Sequence, residues 1–63
     1  MESKFFKIKM EIVNLKNKLR ATDYKALKFA EGWLTIEEYE PIREERWMLR
    51  KRINELEEQI KKL

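Results

Sequence analysis

The chain contains no cysteine, no histidine, a single glycine, a single proline and a single serine in 63 residues. Without cysteine there is no disulfide staple and no thiolate metal site. Without histidine the commonest metal ligand and the usual general base near neutral pH are both missing. Ser3 lies at the amino end, where chains fray, so nucleophilic catalysis has little to work with. The carboxylates form neither a calcium-type loop nor an acid/base pair. A non-enzymatic protein that uses no metal and no cofactor is expected. No apolar run reaches the length of a membrane span, and the amino terminus alternates lysine with hydrophobic residues instead of building a signal-peptide core. A cytosolic protein without a membrane partner is therefore expected.

What is present is charge and helical period. Charged residues make up 43% of the chain, yet acids and bases are interleaved and the net charge is only +3, as on exposed helix faces. Spacings of three and four run through Phe5, Ile8, Ile12, Leu15, Leu19, Thr22, Ala26, Phe29 and Trp33, and again through Tyr39, Ile42, Arg46, Leu49, Ile53, Leu56, Ile60 and Leu63. Folding the chain between these runs pairs positions whose numbers sum to 68, from Phe5 with Leu63 and Ile12 with Leu56 to Thr22 with Arg46 and Phe29 with Tyr39. The fold class expected is all-α: an antiparallel, coiled-coil-like two-helix hairpin that assembles into a helical bundle oligomer. Residues 1–63 form one domain, with a helix over about 4–31, a turn at 32–35 and a helix over about 36–63.

The turn is written in specific residues. Gly32 suits the left-handed position that ends a helix, and Thr35 with Glu38 makes a capping box for the next. Leu34 and Tyr39 occupy the two positions of a hydrophobic staple. Two local signals oppose uninterrupted helices. Thr22 and Asp23 can cap a new helix and split the first arm near Ala21. Pro41 removes a backbone hydrogen bond and can kink or restart the second arm.

One hairpin this small removes too little surface from water to stand comfortably alone. The first arm also carries a second stripe, Phe6, Met10, Val13, Asn17, Arg20, Tyr24 and Leu27, centred about 150° round the helix from the seam. Such a helix needs partners on both sides. Phe6, Met10, Val13, Tyr24 and Leu27 are the expected oligomer interface, with a docking face for another protein as the other reading. Trp47 and Met48 lie outside the second seam and belong to whichever surface is used.

Arg46 interrupts a row in which Ile would complete the pattern. It has two readings. In one, its guanidinium snorkels out of the seam or pairs with Asp23, fixing register at some cost in stability. In the other, Arg43, Arg46, Trp47 and Arg50, which fall within about 100° of one helix face, grip an anionic, aromatic ligand. Guanidinium groups hold phosphate or carboxylate in a bidentate way and an indole can stack on a base, so a nucleotide is the obvious candidate. Glu37, Glu40, Glu44 and Glu45 can instead neutralise these arginines on a solvated face. Duplex nucleic acid is not an expected partner, because the basic block from Arg46 to Arg52 is short and lies within the heptads.

From Leu19 to Glu57 the chain resembles a group of small helical proteins of phages and prophages of Gram-positive bacteria, often encoded close to tail-module or lysis genes. The resemblance rests on Thr22-Asp23-Tyr24-Lys25, Lys28, Ala30-Glu31-Gly32, Glu38-Tyr39, Pro41-Ile42, Arg46, Arg50, Ile53-Asn54 and Leu56-Glu57. It covers a little over half of the protein, and Trp47 departs from the small or polar residue of the pattern. The resemblance implies a phage-type accessory protein in the cytoplasm of an infected bacterial host. The preferred class is a counter-defence inhibitor, binding a host immune protein or a nucleotide signal stoichiometrically, because Arg43, Arg46, Trp47 and Arg50 resemble a ligand grip. The other is a structural or assembly accessory of the tail module, acting through its helical oligomer.

Overall fold

A computed structural model describes residues 3–63 and places them in two helices, α1 (Lys4–Ala30) and α2 (Ile36–Lys61), packed antiparallel with no strand among the described residues. Residues 1 and 2 of the expected 1–63 domain lie outside the described residues. Ser3 starts α1: its hydroxyl accepts from the Phe6 N–H at 3.1 Å. The lone serine is thus a helix cap.

Glu31 and Gly32 end α1. Gly32 has φ 85, its N–H donates to the Phe29 carbonyl at 3.0 Å, and the Trp33 N–H donates to the Lys28 carbonyl at 2.8 Å. These two bonds are the Schellman pattern, and they satisfy carbonyls that the end of a helix otherwise leaves open. The capping box follows at once. The Thr35 hydroxyl accepts from the Glu38 N–H at 3.1 Å, and the Glu38 carboxylate accepts from the Thr35 N–H at 3.0 Å.

The seam follows the layers that sum to 68. Ile8, Ile12, Ile53 and Leu56 form the buried core, with Leu15, Leu19 and Ile60 packed against it. At the turn end the Phe29 and Tyr39 rings stack, with centroids 4.4 Å apart and planes 9° from parallel, a contact worth about 0.5–1.5 kcal/mol beyond its burial. Arg52 Nε donates to Glu11 at 3.1 Å across the open end.

Three expectations need adjustment. α1 stops at Ala30 and α2 at Lys61, so the last residues of both expected helices lie outside them. The Phe5 and Leu63 layer stays exposed, because it has a neighbouring layer on one side only. Trp33 is 75% exposed and is no seam residue, since the positive φ of Gly32 turns the chain off the α1 axis just before it. Neither local breaker interrupts its helix. The Thr22 hydroxyl donates to the Leu19 carbonyl at 3.1 Å and Arg46 takes the Asp23 carboxylate, so both caps are engaged inside a continuous α1. Pro41 lies within α2 on its exposed side, and Glu37, whose carbonyl loses its helical donor there, is exposed and open to water.

Candidate functional site

Three features lie outside the apolar core: the Arg46 layer, the outward face of α2 beside it, and the outer face of α1. Arg46 is 8% exposed, the one buried charged residue among those described. Its Nη1 donates to the Leu19 carbonyl and to the Thr22 hydroxyl, each at 2.8 Å, and its Nη2 donates to Asp23 at 2.9 Å. Thr22 sits in the same layer and its hydroxyl donates to the same Leu19 carbonyl, so guanidinium, hydroxyl and carbonyl close a small network. The described residues contain no buried side-chain nitrogen or oxygen without a partner. Asp23, in contrast, keeps 59% of its side chain in solvent. The pair is a buried cation held by an exposed anion.

This arrangement divides the four residues proposed to grip a ligand. Arg46 points into the seam with both Nη atoms engaged, whereas Arg43, Trp47 and Arg50 remain outside. Arg43 pairs with Glu40 one turn back, and Lys51 Nζ lies 5.3 Å from the centre of the Trp47 ring. Arg50 is exposed and makes no ion pair among the described residues. Of the four acids able to neutralise this face, only Glu40 engages an arginine. The outward group is an exposed indole among cations, without the inward guanidinium that would anchor a phosphate.

The outer face of α1 is uncovered and apolar toward both ends, with exposed Asn17 and Arg20 between. Phe6, Met10, Val13, Tyr24 and Leu27 are 46 to 61% exposed, and Lys25 and Lys28 place their Nζ atoms 5.9 and 5.7 Å from the centre of the Tyr24 ring. Among the described residues eleven large hydrophobic side chains are exposed against five buried, so the exposed ones outnumber the core. The reading of the sequence missed one concavity. Lys9, Ile12, Val13, Lys16, Glu57, Ile60 and Lys61 line an open groove of about 320 Å³ between the helices. Extending the layer arithmetic to residues beside the seam would have located it.

Backbone and then side-chain hydrogen bonding from Thr35 holds the Glu38 carboxyl below the ordinary glutamate range. No cluster of three acids, histidines or cysteines suited to a metal occurs among the described residues, and no helix is long and apolar enough to cross a membrane. The chain matches no family model, no curated protein and no solved structure.

Proposed function

We propose that this protein is a non-enzymatic binding protein of the phage accessory type, acting as a structural or assembly accessory through helix-face contacts. The observation that carries the reading is the outer face of α1, where exposed Phe6, Met10 and Val13 at one end and Tyr24 and Leu27 at the other flank Asn17 and Arg20, on a chain whose core is one thin seam. The phage frame comes from the resemblance of Leu19 to Glu57. The chemistry-bearing residues are few, and the one serine serves as a cap.

A second reading, counter-defence inhibition, draws on the exposed Trp47 with Arg43, Arg50 and Lys51. Tryptophan and arginine are the residue types that dominate protein–protein contacts, so this group favours capture of a host immune protein. Capture of a nucleotide signal is less well supported, because Arg46 engages both Nη atoms inside the seam.

Mass spectrometry of purified phage particles and tail-assembly intermediates, from cells in which the protein is expressed with the phage, separates the two. An accessory is recovered in those assemblies, and Leu27→Asp removes it while Trp47→Ala leaves it. Absence from every assembly, together with a fixed-ratio complex with a host immune protein that Trp47→Ala abolishes, would reverse the preference.

A further inference from the structure

The face that the proposed function relies on has an occupant that its own residue order specifies. We infer that the outer face of α1 is closed by α1 of a second copy of this chain, antiparallel, with Met10 against the partner's Leu27 and Val13 against the partner's Tyr24. The inference rests on the reading that the protein works through helix faces, and it names the first partner.

Area is the first argument. The chain exposes 5324 Å², where a compact monomer of 7.8 kDa exposes about 4,400 Å². The excess, roughly 900 Å² for the rod as a whole, is of the size that each partner of a standard interface buries, ~800 Å². A second copy supplies that cover by symmetry, with one patch serving both sides.

Register is the second and sharper argument. An antiparallel contact between two copies of a heptad stripe brings one kind of seam position against the other, so the allowed pair sums step by seven. At a sum of 30, Phe6 meets Tyr24, but Met10 meets Arg20 and Val13 meets Asn17. At 44, Asn17 meets Leu27 and Arg20 meets Tyr24. At 37, Met10 meets Leu27, Val13 meets Tyr24 and Asn17 meets Arg20. Only that alignment sets apolar on apolar and leaves the two polar residues facing each other, the Asn17 carbonyl accepting from the partner's guanidinium. Phe6 then lies at the rim. The result repeats the logic of the internal seam, in which one arginine layer sits among hydrophobic ones.

Charge sets the behaviour in salt. α1 carries eight bases and two acids, so two such helices side by side repel, and added salt screens the repulsion. Association between copies should therefore tighten severalfold from low to moderate salt. Docking of an acidic helix on the same face would weaken instead.

The absence of native cysteine makes the register directly testable. The double variant Val13→Cys/Tyr24→Cys cannot bridge within a chain, because its sites lie about 16 Å apart along one helix. Under oxidation it should run as a covalent dimer, and Phe6→Cys/Tyr24→Cys, which reports the sum of 30, should not. Cross-linking of the second variant alone, or of neither, overturns the alignment. Sedimentation of the unmodified chain in low and moderate salt tests the occupant. A monomer throughout overturns a second copy, and association that salt weakens overturns α1 as the surface that the second copy presents. If the chain is monomeric and Leu27→Asp still removes it from tail assemblies, the binding function stands while this inference fails.

Discussion

Arg46 shows how one residue can be misplaced by the wheel of its own helix and placed by its neighbour across the seam. Angle alone groups it with Arg43, Trp47 and Arg50. Its layer partner Thr22 and the adjacent Asp23 draw the guanidinium inward, where it finds three acceptors within 2.9 Å. Both readings were open in the sequence because a helical wheel reports direction and carries no information about acceptors on the opposite arm. Buried charge is costly, and well-packed apolar replacements of buried ion pairs are often neutral or stabilising. Here Thr22 keeps its bond to Leu19 and Asp23 is already solvated, so Arg46→Ile strands no polar group. It should raise stability by about 1–3 kcal/mol, read from urea unfolding. Asp23→Ala should lower it by about 1–3 kcal/mol, since the guanidinium then stays buried with neutral acceptors only. Destabilisation by Arg46→Ile would mean that the network contributes more than the hydrophobic layer it displaces.

Each helix is bounded by residues whose chemistry was readable in advance: Gly32 at the end of α1, Thr35 and Glu38 at the start of α2. The helix interiors were harder to read. Thr22, Asp23 and Pro41 carry local signals for a break, and the seam overrides all three because packing along the whole helix outweighs a single cap or a single lost hydrogen bond. Ser3 was overlooked as a cap since its place at the amino end pointed to fraying. A Cβ on Gly32 would meet nothing within 4 Å, but φ is 85, so Gly32→Ala is strained by backbone conformation alone. It should cost about 1–2 kcal/mol, with helix content retained in circular dichroism. Glu38 gives the capping box a pH signature. Its carboxyl is held below the ordinary range in the folded chain, so the contribution is present above the unfolded glutamate pKa and lost as pH falls through the folded one. Urea midpoints measured downward from neutral pH should fall more steeply for the native chain than for Glu38→Gln, which keeps the box without titrating. Parallel curves would show that the box carries no linkage.

As a body the hairpin is a rod of 47 × 16 × 15 Å with a radius of gyration of 14.6 Å, against about 11 Å for a compact chain of this length. That shape was implied by the mirrored heptads, and the outer stripe of α1 was visible as a second period. The partner of that stripe was not readable from period alone, because a run of apolar side chains states that a face needs cover without stating by what. Exposed area and the order of polar and apolar residues along the stripe supply the answer proposed above. The central claim is that α1 is buried on both sides in the working protein, and sedimentation equilibrium across the micromolar range tests it most directly. A reversible mass of twice the 7.8 kDa chain, reduced to that of one folded chain by Leu27→Asp, is the predicted result. A folded single chain at every concentration, unchanged by Leu27→Asp, would contradict it.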